Sequence, residues 1–450
     1  MTTRGMWRRH RSHSSRIVLY AMCALVWALV VAVSTSGARR PSGAATPEGG
    51  VDGLIGANAP AAWSSSAAPS AADLSLQLQS LLGQHTVLAA DMMRGRLRGD
   101  PDLAQAANAA LGKNTDAMGQ IVGTMFGDAA KNQFATLWAS HVQAFFNYAR
   151  GLADHDDAVR TQAQTTITAF EHNLAAFFSG ASQGRLPAAT AEAVIREHVD
   201  HLLHQADLYA AGDYAKADQT YREAYTQAFG IGKALASTLL PPNVATVLNT
   251  PTWRLRSELD RLLGEHVVLV IAAMRSGVTN AADFSAAATT VNGNTRDLAG
   301  AIDTLFGGPA AKRFQSLWAD HVDALISYAG ALVKHDDAQR SQARAKLSTF
   351  ESQFAAYLFA ATNKKLTNTA LAKAFLMHDQ MLIGEVEAFV GKDYQRAHDL
   401  AYSTYQDMFT LAGELTNAFG TTVASRMPVG AVQTGRGGMA AVVARRWHGG

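Results

Sequence analysis

Polar residues set in the middle of otherwise apolar helical stripes are the groups in this sequence that could do chemistry. One stripe reads Leu74, Leu78, Leu81, His85, Leu88, Met92. Another reads Phe134, Trp138, His141, Phe145, Tyr148, Leu152, and a third Ala191, Ile195, His198, Leu202. Asn114 sits between Leu111 and Met118, and Glu171 lies beside Phe170 on the line Ile167, Glu171, Leu174, Phe178. Steps of three and four keep each set on one helical face, so these five polar groups point inward or nearly so. A buried polar group without a partner costs roughly 1–3 kcal/mol. The five must therefore satisfy one another or hold something.

The set occurs twice. His266 stands among Leu255, Leu259, Leu262, Leu269 and Ala273; His321 among Phe314, Trp318, Leu325, Tyr328 and Leu332; His378 among Leu371, Phe375 and Leu382. Asn294 and Glu351 complete the second set. Imidazole with carboxylate suits a divalent transition metal such as Zn²⁺, Fe²⁺, Mn²⁺ or Cu²⁺, and the core of a helical bundle is a common place to build such a site. The metal reading names His85, His141, Glu171 and His198 in the first set and His266, His321, Glu351 and His378 in the second. It requires the ring nitrogens of each trio to converge within about 5 Å. The competing reading is a buried hydrogen-bond network that fixes helix register and needs no ligand.

Other groups carry less. The run His198-x-x-His201-x-x-His204-x-x-Asp207 looks chelating, but its second copy reads His378, Met381, Gly384 and Glu387, so only the ends persist. His155 and His335 precede capping aspartates and belong to turns. No glutamate is followed three residues later by histidine, which removes the paired Glu-x-x-His of ferritin-like di-iron bundles. There is no His-Glu-x-x-His, no Gly-x-Ser-x-Gly and no phosphate-cradling glycine loop, so a metalloenzyme is the least supported class.

The elements that position these residues are helices. Hydrophobic residues make up 48% of the 450, aromatics only 8%, and Ala leads the apolar set; such stretches favour helix over strand. Phe134-x-x-Leu137-Trp138-x-x-His141-Val142 returns as Phe314-x-x-Leu317-Trp318-x-x-His321-Val322, an offset of 180. His155-Asp156-Asp157-Ala158 and Asp213-Tyr214 return at the same offset, and Gly83-x-His85 returns at 181 as Gly264-x-His266. A nearly ungapped match of this length is a duplication. The expected fold is all-α, two tandem copies of a six-helix up-and-down bundle-type domain, at 73–240 and 253–420. In the first copy helices are expected near 73–95, 101–126, 129–153, 156–180, 187–211 and 213–239. Asp156, Asp213, Asp336 and Asp393 stand where N-cap carboxylates belong, and Pro309 opens a helix of the second copy.

The flanks read differently. Arg4, Arg8, Arg9, Arg11 and Arg16 precede an uncharged apolar run from Ile17 to Val33, followed by small residues at Ser36 and Ala38. Residues 1–38 thus read as an export signal, or as a short signal anchor holding the chain at a membrane. Residues 39–72 read as a flexible linker, 241–252 as the inter-domain linker, and 421–450 as a weakly ordered basic tail. The expected address is secreted or cell-envelope. Cleavage would take the lone Cys23 with it and exclude disulfides, thiolate ligands and a cysteine nucleophile. It would also take five of the 39 basic residues, leaving 34 against 37 acidic, a net of −3. Such a surface gives nucleic acid no basic patch to bind.

The Phe-x-x-Leu-Trp-x-x-His-Val segment, the Gly-x-His and the Asp-Tyr resemble those of a family of secreted bacterial helical tandem-repeat proteins, over roughly 74–420. That resemblance implies a fold and an extracytoplasmic address, and no reaction. Two function classes lead: a binding or metal-handling protein that uses the inward histidines, with a metal ion or small ligand as partner, and a structural or interaction module of the envelope whose histidines only register helices.

Overall fold

The computed structural model describes residues 70–428, and the leader, nearly all of the expected linker at 39–72, and residues 429–450 lie outside them. The described chain is all-helical. The first repeat runs α1 (Ala71–Leu97), α2 (Pro101–Phe126), α3 (Asp128–Ala153), α4 (Asp157–Ala181), α5 (Ala188–Ala210) and α6 (Tyr214–Leu239). A one-turn helix, α7 (Pro242–Ala245), and a 3₁₀ turn (Thr246–Asn249) join it to the second repeat. That repeat runs α8 (Pro251–Val278), α9 (Phe284–Phe306), α10 (Gly308–Val333), α11 (Asp337–Ala361), α12 (Asn368–Val390) and α13 (Tyr394–Ala424). Among the described residues no helix is long and apolar enough to cross a membrane.

The helix starts follow from capping chemistry. The carboxylates of Asp156, Asp213, Asp336 and Asp393 accept N–H groups of the first turns of α4, α6, α11 and α13. His155 and His335 end the preceding helices in the left-handed region, with φ of 52° and 53°. Gly127 and Gly307 join α2 to α3 and α9 to α10 at φ of 87° and 86°, where a side chain would be strained.

Within each repeat the helices pack in chain order and close on themselves, α6 returning to α1 and α13 to α8. The first helix of each repeat is also the innermost: α1 touches α2, α3, α5 and α6, and α8 touches α9, α10, α12 and α13. Central position explains why the helices carrying His85 and His266 are buried over most of their circumference, polar residues included. Each repeat has its own core, one around Phe145 and Leu202, the other around Trp318 and Phe375.

Two boundaries differ from expectation. The expected inter-domain linker at 241–252 is largely helical, and α8 starts inside it with Thr250 capping its first turn; Leu248 and Trp253 are buried in the first core. Residues 421–428 do not hang free: α13 kinks at Gly420 (φ 74°) and continues to Ala424. Ala424 and Met427 are buried against the second core, and Arg426 donates to the carbonyl of Leu305.

The repeats meet about a pseudo-twofold axis. The last helix of each packs on the second helix of the other, α6 on α9 and α13 on α2. Tyr225 donates to its own repeat equivalent Tyr405, oxygen to oxygen 3.0 Å, and Phe229 faces Phe409 with ring centroids 6.1 Å apart. The glycines before the first-helix histidines make room for this. A Cβ on Gly83 would lie 2.7 Å from the Tyr405 hydroxyl, and one on Gly264 2.7 Å from that of Tyr225.

Candidate metal centre

In the second repeat α8, α10 and α12 bring His266, His321 and His378 together, all fully buried. Their rings form a nearly even triangle, with centroids 5.6, 5.7 and 6.1 Å apart. One nitrogen from each ring lies within 4.8 Å of the other two, the one such group among the described residues. The rings are held from outside. Phe350 stacks on His321 at 4.3 Å, and the Trp318 indole N–H donates to His266 Nδ1 at 3.2 Å. The other five nitrogens of the trio have no hydrogen-bond partner. Asp379 Oδ1 lies 3.3 Å from His321 Nδ1 but out of line for a hydrogen bond.

Burial in this apolar setting makes charging costly. It drives His266 and His321 well below the ordinary imidazole pKa and His378 down to about 4, with neighbouring histidines adding to the shift on the first two. All three rings are therefore neutral at pH 7 and carry lone pairs, the form in which imidazole ligates a metal. Behind them Asp379 is raised well above the carboxylate range by burial and by the neighbouring Glu351, itself raised mainly by burial. The proximity of the two carboxyl groups disfavours charging both, and favours the protonated form of Asp379.

The first repeat uses the same helices differently. His85 and His141 are buried with Nε2 atoms 3.2 Å apart, one donating and the other accepting. Phe170 stacks on His141 at 4.1 Å. His198 keeps both nitrogens unpartnered, and its trio does not meet the convergence that the second trio meets. The position after His198 is Val199, where the second repeat has Asp379. Burial lowers His141 to about 3 and His198 to about 4, and takes His85 well below its ordinary value.

The remaining sequence candidates lie outside both trios. Glu171 is buried but turned to the flank, its carboxylate 3.2 Å from Arg196 Nε, and Glu351 faces Asp379; neither reaches the imidazoles as a ligand. Asn114 donates to the Leu81 carbonyl and to Gln84, and Asn294 to the Leu262 carbonyl and to Glu265, so both stitch the first two helices of their repeat. His201 Nδ1 is 3.2 Å from Gln227 and His204 is exposed. Asp207 and Glu387, the surviving ends of that run, accept from Tyr148 and Tyr328.

Sequence comparison of the repeats hid two groups that matter. Asp379 has an apolar counterpart and so drops out of any set kept in both copies. Arg222 of the first repeat crosses the interface to bind Glu265 through two 2.9 Å contacts and Asp297 through one of 2.7 Å, which anchors the helix turn carrying His266. Its counterpart is Tyr402. Comparison with known protein families, with curated proteins and with solved structures returns no match.

Proposed function

We propose that this chain is an extracytoplasmic metal-binding protein whose second repeat holds one divalent transition metal ion on His266, His321 and His378. The observation that carries the reading is the convergence of three buried, neutral imidazoles whose nitrogens otherwise lack partners. Left as they are, those nitrogens forfeit roughly 1–3 kcal/mol each; a metal would take one lone pair from each ring. Metal–nitrogen bonds near 2 Å correspond to nitrogens about 3.3 Å apart, so ligation draws the trio inward by roughly 1 Å. Asp379, 3.3 Å from His321 Nδ1, is close enough to orient that ring once it ligates. Three imidazoles favour Zn²⁺ or Cu²⁺ over harder ions, and leave a coordination position for water or a small ligand. The arginine-rich leader supports the address.

The first repeat supports the register reading instead, because its His85–His141 hydrogen bond occupies one nitrogen of each ring. The experiment is metal analysis of the full-length chain after stripping and reloading with Zn²⁺, Cu²⁺, Mn²⁺ or Fe²⁺ separately. One bound ion per chain is expected, lost in His321→Ala and kept in His141→Ala. A metal-free wild type after every incubation, or binding indifferent to His321→Ala, refutes the assignment.

A further inference from the structure

The first repeat contains a partly open cavity of about 100 Å³ beside its histidines, lined by residues of α1 to α6 and walled almost wholly by carbon. Its lining includes His141 and His198, together with Leu174, Ala191, Ile195 and Ala228. The second repeat carries Phe354, Leu371, Phe375 and Met408 at the last four positions, all buried in its core, with Phe354 and Phe375 rings 4.9 Å apart. Ile121, Phe178, Thr190, Val194 and Thr238 of the cavity exchange for Ala301, Leu358, Ala370, Ala374 and Ala418 in the other sense, so the difference is local to the side of the cavity at Leu174, Ala191, Ile195 and Ala228. The cavity thus arises where one copy of the duplicated domain has small residues and the other has large ones.

Its lining carries Trp138, His141, Thr190, His198 and Thr238, and of these His198 has both ring nitrogens without a partner. That side chain is more than nine-tenths buried, and neither Nδ1 nor Nε2 has a hydrogen-bond partner. An apolar cavity of this order accepts small apolar molecules such as benzene. A neutral imidazole on its wall adds one place for a hydroxyl or N–H to donate or accept. We infer that the first repeat binds a small, compact, mainly apolar ligand bearing a single hydrogen-bonding group, of the class of simple phenols, with its ring among Leu174, Ile195 and Ala228 and its polar group on His198. This site is separate from the trio at His266, His321 and His378, and needs no metal.

The test uses the full-length chain stripped of metal, with phenol and benzene as probes, followed by NMR shifts of the His198 ring and nearby methyl groups and by titration calorimetry. Phenol is expected to bind roughly tenfold more tightly than benzene, the worth of one added hydrogen bond. His198→Leu should abolish that preference while benzene still binds. Ala228→Met with Ile195→Phe, which installs the second repeat's residues, should abolish binding of both probes. Ala191→Leu serves the same purpose should the double variant not fold. The inference is overturned if neither probe perturbs His198 at millimolar concentration, if phenol keeps its advantage in His198→Leu, or if a folded cavity-filled variant binds as the wild type does.

Discussion

Replacing His198 with leucine should change how the protein responds to acid, by an amount the structure sets. Burial, with His201 adding a smaller effect, holds the His198 pKa at about 4, against an unperturbed value near 6.5. A folded-state pKa below the unfolded one contributes stability that is present above pH 6.5 and lost as pH falls toward 4. In that window the unfolded chain takes up a proton that the folded chain refuses. At about 1.36 kcal/mol per pH unit, the loss between pH 6.5 and 5 is roughly 2 kcal/mol, and about 3 kcal/mol by pH 4. Leucine at this position has no proton to refuse and leaves no orphaned nitrogens, so at pH 8 the variant should equal or exceed the wild type. Urea unfolding of metal-free protein, followed by circular dichroism from pH 8 to 5, measures the gap between the two. Titrating groups elsewhere are common to both proteins and cancel to first order. The gap should widen in the variant's favour by about 2 kcal/mol on acidification. A gap that stays level within about 0.5 kcal/mol, or that closes as pH falls, refutes the idea that this imidazole is held neutral by burial.

Three further outcomes follow from other parts of the molecule. Gly264→Ala places a Cβ 2.7 Å from the Tyr225 hydroxyl and 2.8 Å from the Tyr405 ring, and thermal or urea unfolding should show a loss of roughly 1–3 kcal/mol from overpacking; an unchanged midpoint counts against the packing described. Arg275, buried with its guanidinium 2.8 Å from Glu385 and 2.9 Å from Asp91, should cost about 3–5 kcal/mol when changed to Met, because two carboxylates lose their cation; the same unfolding assay checks it. Asp379→Asn should weaken Zn²⁺ or Cu²⁺ binding by about 10–100-fold with the chain still folded, measured by competition with a chelating dye, and unaltered affinity would remove Asp379 from the site.

Much of the fold was legible because its signals are local. Asp156, Asp213, Asp336 and Asp393 cap helices within a few residues of themselves, and the three-and-four spacing of Leu74 to Met92 needs only one helix to be read. The histidine trios were legible for the same reason, since each ring sits on the buried line of its own helix. What stayed hidden depends on how helices turn against one another. Glu171 lies only a fraction of a turn from the buried line of α4, enough to hand it to Arg196 on the flank. Asp379 stands where the copies differ, so a pattern kept in both copies cannot reveal it. The extension of α13 past Gly420 depends on Met427 finding the core, a contact that nothing in a Gly- and Arg-containing tail announces.

The Tyr225–Tyr405 contact has a historical meaning. A residue meeting its own repeat equivalent on a pseudo-twofold axis is the signature of an isologous interface, the kind by which identical subunits pair. The contacts are those that two identical subunits would make, here within one chain and joined through the short segment at 241–250. Fusion replaces encounter at cellular concentration with a local concentration in the millimolar range, so pairing no longer depends on how much protein is made. It also frees each half from serving as its own partner. Arg222 could turn toward Glu265 without Tyr402 having to do the same, and a carboxylate could settle beside one histidine trio while valine settled beside the other. Division of labour between the halves is what the joined gene permits and a homodimer forbids.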